Sequence, residues 1–338
     1  MGRIRKDALD LEFLPVTRKV KFKGPKRIGC FSNCYGEENQ LVYRTDNSSQ
    51  RYLVSTELNE PLYCLEEFNP DTDRFQMRKS FIAQIGQIKI IDRFHLFNAD
   101  HLMFVTDEDP SKKRKQQSDN NTRQNKLAYS RFKVIKKITK QVVERESDSN
   151  TELDVLSTVS ISKIGQHHVL HLGNSEFVLS KDDVEKPIAQ ASFAALKLGP
   201  NLYKKYTKDF NIDHNRLMYW WASALLCGVK TLICGDLNED FTLFKLDELP
   251  ASLLNKKAEY ERKKFLHALD KILHFIKSEV KEINKFYDIR LDVKTKEVTA
   301  PLSVSLFEDS VSPNIPVSLS MLKNLKFEAL KNTSGINA

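Results

Sequence analysis

The chain has 338 residues, 41% hydrophobic and 29% charged, which is too apolar for a disordered chain and leaves room for one large domain or two small ones. With 11 Gly and 11 Pro it is neither collagen-like nor of low complexity, and a chain this long needs no metal or disulfide to hold a core together. Five Cys are an odd number scattered along the sequence, so a reducing intracellular compartment is expected; the net charge is +8.

Residues 1–25 are basic and mixed and read as an extended arm; no apolar stretch follows the charged start, so no secretory leader is expected. Short apolar runs, Leu41-Val42-Tyr43 and Tyr52-Leu53-Val54, flank Asp46-Asn47-Ser48-Ser49 and predict a hairpin. Phe81 to Ile91 is apolar around Gly86. Leu102 to Val105 predicts a buried strand that stops at Asp107-Glu108-Asp109-Pro110. Residues 111–126 read as a polar loop and 144–152 as a second. From Lys112 to Arg145 there are twelve cations and two anions, so the positive excess is local and suits contact with an anion, nucleic acid first.

Beyond 154 the pattern is rich in strands: Val155 to Ile161, His168 to Leu172, then Phe177 to Leu179 after a Gly173-Asn174 turn, then Ser192 to Leu198. Asp213 is placed to cap a helix that runs through Leu226 and stops at Gly228. The longest apolar run, Tyr219 to Val229, falls short of the ~20 residues of a membrane span, so no membrane contact is expected. Val229 to Cys234 and Phe241 to Leu246 predict a hairpin about Asp236-Leu237-Asn238-Glu239-Asp240. Asn255 to Phe286 has apolar residues stepping by threes and fours, from Phe265 to Ile283, and predicts one amphipathic helix. Ile289 to Val293 and Val298 to Leu306 predict a closing hairpin. The expected architecture is a single mixed α/β (α+β) domain with a large mixed β-sheet core flanked by helices.

Few constellations carry chemistry. Cys30 and Cys34 have no second ligand pair and read as half-buried thiols. His167, His168 and His171 cluster, but on a strand His167 and His171 share one face while His168 points away, so they do not close a three-His site. Asp182, Asp183 and Glu185 read as an acidic turn. Trp220 and Trp221 lie in an apolar helix and read as core.

The run Asn215-Arg216-Leu217-Met218-Tyr219-Trp220-Trp221-Ala222-Ser223, followed by Leu226-Cys227-Gly228-Val229-Lys230 and Ile233-Cys234-Gly235, resembles the DXO family of nuclear decapping enzymes and 5′→3′ exoribonucleases. Pro25 to Ser32 with Leu41-Val42-Tyr43 resembles that family's opening, and Met77-Arg78-Lys79-Ser80-Phe81 its Arg-bearing first motif. The resemblance implies a DXO-like domain over 26–310, with 111–126 inserted as a basic polar loop and 311–338 as a C-terminal tail. It also implies a chemistry in which several carboxylates hold divalent metals against RNA.

The departures bear on that chemistry. By resemblance the second motif should end in Glu where Ile135 stands. The third should carry two carboxylates where Asn174 and Glu176 stand. The Glu-x-Lys motif reads Ala195-Leu196-Lys197, and a Gln on the two-Trp helix is Ser223. One carboxylate cannot hold two metals in a fixed geometry, so no catalytic residue and no metal or other cofactor is expected, the ancestral Mg/Mn site being lost. Arg78, Lys133, Lys136 and Lys197 are the expected RNA contacts. A degenerate member with a basic insertion resembles the family's inactive branch in the insect female germline. That likeness implies a nuclear, chromatin-associated protein working with a Rhino–Deadlock type chromatin complex at piRNA source loci, where read-through transcription and protection of precursor RNA are needed. Two other readings stay open: an active divergent decapping nuclease, and a protein scaffold with a closed RNA groove.

Overall fold

The computed structural model describes residues 8–10, 19–35, 41–44, 46–69, 93–99, 102–106, 123–143, 155–174, 177–200, 202, 213–279, 285–292 and 297–299. Chain order is β1 (Ala8–Asp10), β2 (Phe22–Tyr35), β3 (Leu41–Arg44), β4 (Arg51–Leu53), β5 (Leu62–Tyr63), β6 (Arg93–Ala99), β7 (Leu102–Thr106), α1 (Arg123–Ile138) and β8 (Thr139–Gln141). There follow β9 (Val155–Ile164), β10 (His167–Asn174), β11 (Phe177–Val178), α2 (Asp182–Glu185), β12 (Phe193–Gly199), α3 (His214–Cys227), β13 (Thr231–Leu237), β14 (Thr242–Pro250), α4 (Ala251–Lys257), α5 (Glu259–Glu279), β15 (Lys285–Asp292) and β16 (Glu297–Thr299).

The strands form three sheets. The seven-stranded sheet has the order β5-β14-β13-β12-β11-β4-β8, mixed because β12 runs parallel to β13 and β11 parallel to β4. A four-stranded sheet has the order β10-β9-β2-β3, and a five-stranded sheet the order β1-β16-β15-β6-β7.

Alternation along β12 decides the layers. Ala194 and Leu196 face one side of the large sheet, where Val134, Ile135 and Ile138 of α1 pack on them with Phe177, Ile233 and Leu243. Ala195 faces the other side, into a core of Trp220, Trp221, Leu226, Leu232, Phe265 and Leu269 from α3, β13 and α5. Ile164 belongs to this second core, so α3 lies between the large sheet and the four-stranded sheet.

Helix α3 has local reasons for both ends. Asp213 accepts from the Arg216 backbone N–H at 2.9 Å. Gly228 takes φ 63° and ψ 31°, a left-handed conformation that ends the helix at low steric cost. Arg27 of β2 completes the cap: its Nη2 donates to the Cys227 and Gly228 carbonyls, each at 2.7 Å, and its guanidinium lies 4.3 Å from the centre of the Phe193 ring.

The structure corrects several expectations. Residues 41–54 do not form one hairpin: β3 pairs with β2, and β4 pairs with β8 and β11 in another sheet, because the four-residue polar turn carries the chain from sheet to sheet. The loop expected over 111–126 ends early, since Arg123 opens α1. This helix was legible in the steps Ala128, Phe132, Ile135 and Ile138, all buried, but its dense Lys and Arg hid the stripe. Gly173 and Asn174 are the end of β10 rather than a turn. The single helix expected over 255–286 is two, broken at Ala258, and Phe286 belongs to β15. The hairpin of β13 and β14, the strands near 102, 155 and 193, and the closing hairpin of β15 and β16 match expectation. The segments 81–91, 144–152 and 311–338 lie outside the described residues.

Candidate functional site

Lys197 stands near the C-terminal end of β12, on the face turned to α3. Its ammonium lies 5.8 Å from the centre of the Tyr219 ring, on α3. Arg131 reaches the same place from α1, its Nη1 donating to the Leu196 carbonyl at 2.5 Å. β11 is only two residues long, so beyond Ala194 the described residues offer β12 no strand on that side. Lys197 and Arg131 keep some solvent exposure but are enclosed by protein.

The electrostatics follow from two cations sharing this enclosure. Burial, and then repulsion by Arg131, push the Lys197 ammonium down to about 8, against weaker support from Cys227 and Cys234. Burial takes the Arg131 guanidinium down to about 10. Burial also pushes the Cys227 thiol up to about 11 and the Cys234 thiol up to about 12, so both stay protonated. Register places Cys234 beside Lys197 and Asp247 beside Cys234, a row across three strands that carries a carboxylate sequence reasoning did not single out. Asp247 is held 2.6 Å from the Lys245 ammonium.

The other predicted residues are dispersed. Ile135 does not meet Ala195: it packs with Ala194 and Leu196 on the α1 side, while Ala195 is buried in the α3 core. The role of α1 at the recess passes instead to Arg131, one turn earlier. Lys133 is ion-paired with Glu67, and Lys136 is exposed, 5.9 Å from the Phe132 ring centre. Ser223 is half-buried on α3. Asn174 ends β10; its side chain, together with Arg78 and Glu176, lies outside the described residues.

His167 and His171 are buried on one face of β10 and His168 is exposed, as the strand period requires. His167 lies 3.6 Å from Asp270 of α5, and burial followed by the Lys277 charge lowers its pKa against the pull of Asp270. Trp220 and Trp221 are core, Trp221 Nε1 donating to Asn255 of α4 at 2.9 Å. Among the described residues, no three His, Cys, Asp or Glu side chains are arranged to hold a metal ion.

Residues 92–313, about two thirds of the chain, match the family described as RAI1 like PD-(D/E)XK nuclease. The chain belongs to this family. Its fold is similar to S. pombe Rai1 in complex with 3′-FADP, at a TM-score of 0.65 and 14% identity over 88% of this chain and 99% of that one. Candida albicans Rai1 in complex with pU5-Mn2+ gives 0.60 and 15%, over 86% and 92%. K. lactis Dxo1 in complex with manganese gives 0.56 and 10%, over 90% and 99%. Identities this low carry the fold and not the activity. No curated protein matches the chain significantly.

The donor set in the recess does not suit the divalent metals of these relatives. Two enclosed cations repel another cation, and the carboxylate in the Lys197 row, Asp247, is already engaged by Lys245.

Proposed function

We propose that this chain is a non-catalytic member of the RAI1/DXO nuclease family that holds RNA 5′ ends, and the proteins that act on them, without cutting. The observation that carries this reading is the pairing of Lys197 with Arg131 beside a buried Ala195, where a carboxylate of the Glu-x-Lys motif is expected. Metal-assisted hydrolysis needs negative oxygen ligands at that place, and an alanine sealed into the core supplies none. No metal cofactor is part of this function.

Within the family, the degenerate motif pattern and the basic segment resemble Cutoff, the inactive relative of the insect female germline. By that likeness the chain is nuclear and chromatin-bound, works with a Rhino–Deadlock type complex, and shields uncapped piRNA precursors from termination and decay. The test is incubation of purified full-length protein with 5′-monophosphate and capped RNA in Mg2+ or Mn2+. The expected result is intact RNA. Processive decay that disappears on Glu176→Ala overturns the reading.

Asp247 favours a second reading, an active divergent nuclease with a rearranged ligand set, because it shares a cross-strand row with Lys197. Calorimetric titration with Mn2+ separates the two: tight binding lost on Asp247→Asn supports the active enzyme, and no heat of binding supports the non-catalytic one.

A further inference from the structure

We infer that the recess between α1, β12 and α3 is a metal-independent site for a phosphate monoester, in which the Arg131 guanidinium and the Lys197 ammonium take the place of divalent cations. The inference rests on the non-catalytic reading and adds to it a ligand and the groups that hold it.

Three observations carry it. First, the two cations reach one place from different elements, Arg131 from α1 and Lys197 from β12, and each is fixed there. Arg131 is held by the Leu196 carbonyl, and Lys197 lies over the Tyr219 ring. Positions fixed before binding cost little entropy when a ligand arrives. Second, the cations repel each other in an enclosed space, strongly enough that Arg131 is, after burial, the main influence holding the Lys197 ammonium down. A dianion placed between them offsets that repulsion and gains two charge-assisted interactions. Third, α1 itself joins this site to the basic stretch. It begins at Arg123 within the segment Lys112 to Arg145, so the field that gathers polyanions leads along the helix to Arg131.

The ligand chemistry follows from the pair. A guanidinium and an ammonium together match the two negative charges and several acceptor oxygens of a terminal phosphate better than the single charge of an internal phosphodiester. The phosphate can come from an RNA 5′ end or from a free nucleotide or inorganic phosphate, and the experiment has an arm for each.

Fluorescence anisotropy with full-length protein in EDTA compares one short labelled RNA carrying a 5′-monophosphate with the same RNA carrying a 5′-hydroxyl. The expected result is about tenfold or more tighter binding of the phosphorylated RNA. Lys197→Met and Arg131→Met should each remove that difference and leave the 5′-hydroxyl affinity unchanged. In parallel, thermal melts with inorganic phosphate at matched ionic strength should raise the midpoint of the wild type and not of Lys197→Met. Without ligand, Lys197→Met should melt no lower than the wild type, since it removes a buried charge, and so serves as a folded control. If phosphate and AMP compete as well as 5′-phosphorylated RNA, the site takes free phosphate monoesters; if only the RNA competes, it reads 5′ ends. Either pattern supports the site. Equal binding of both RNAs with no phosphate shift of the melt overturns it and leaves a non-cutting RNA binder standing. A preference that appears only with Mn2+ overturns it too. RNA cleavage in the assay above would instead overturn the non-catalytic reading.

Discussion

Burial sets the ionisation of His171, whose imidazole is pushed down to about 4 from 6.5. The unfolded chain therefore takes up a proton at higher pH than the folded one. This residue costs nothing above its unfolded value and withdraws stability as the pH falls from 6.5 toward 4. His167 is lowered as well and acts in the same direction. Urea midpoints should fall across that window, and His171→Gln should flatten the fall relative to its own value in neutral buffer. Lys197 works with the opposite dependence on ligand: binding of an anion needs the ammonium charged. Phosphate affinity should hold near neutrality and decline as the pH rises through about 8. Anisotropy titrations from about pH 6.5 to about pH 9.5 read this directly, and Lys197→Met should show no such decline.

At the scale of elements, α3 is held at both ends by its neighbours. Asp213 starts it, Gly228 stops it, and Arg27 of β2 satisfies two of its last carbonyls from the next sheet. Arg27→Met leaves those carbonyls buried without their donor, so it should cost about 3 kcal/mol in chemical denaturation. Trp221 ties α3 to α4 through Asn255, and Trp221→Phe should cost about 2 kcal/mol, from the lost hydrogen bond and the smaller ring. Gly173 is also set by this helix, since a β-carbon there would come 2.7 Å from the Cys227 Sγ. The seam between α5 and the β9–β10 hairpin is unusually polar. Ser160, Ser162 and both ring nitrogens of His267 are buried with no hydrogen-bond partner among the described residues.

For the whole molecule, the relevant quantity is where its charge lies. The chain outside Lys112 to Arg145 is close to neutral, so non-specific RNA binding should depend on that stretch and on salt. For single-stranded RNA, every phosphate the protein ceases to neutralise lowers the slope of log affinity against log salt by about 0.7. Replacing Lys112, Lys113, Arg114 and Lys115 by Gln should therefore flatten the slope by about 1 to 3, while the preference for a 5′-phosphate is kept. An unchanged slope would place the RNA path elsewhere on the surface.

Much of the order of elements was legible from residue spacing, because capping and alternation are local. Asp213 and Gly228 bracket α3 by their own backbone preferences, and His167, His168 and His171 divide by the period of a strand alone. The DXO resemblance came from one such run, Asn215 to Gly235, and the family match bears it out. Sheet membership was not legible, since nothing near Asp46 to Ser49 says that β3 and β4 join different sheets. Nor was the site. Arg131 and Lys197 are 66 positions apart, and neither spacing nor charge pattern ties them together. They meet because α1 covers one face of the large sheet, α3 covers the other, and two-residue β11 leaves room for an arginine to reach the Leu196 carbonyl. Local residue preferences decide helices and strands, but which charges share an enclosure is a long-range packing outcome that only the tertiary structure decides.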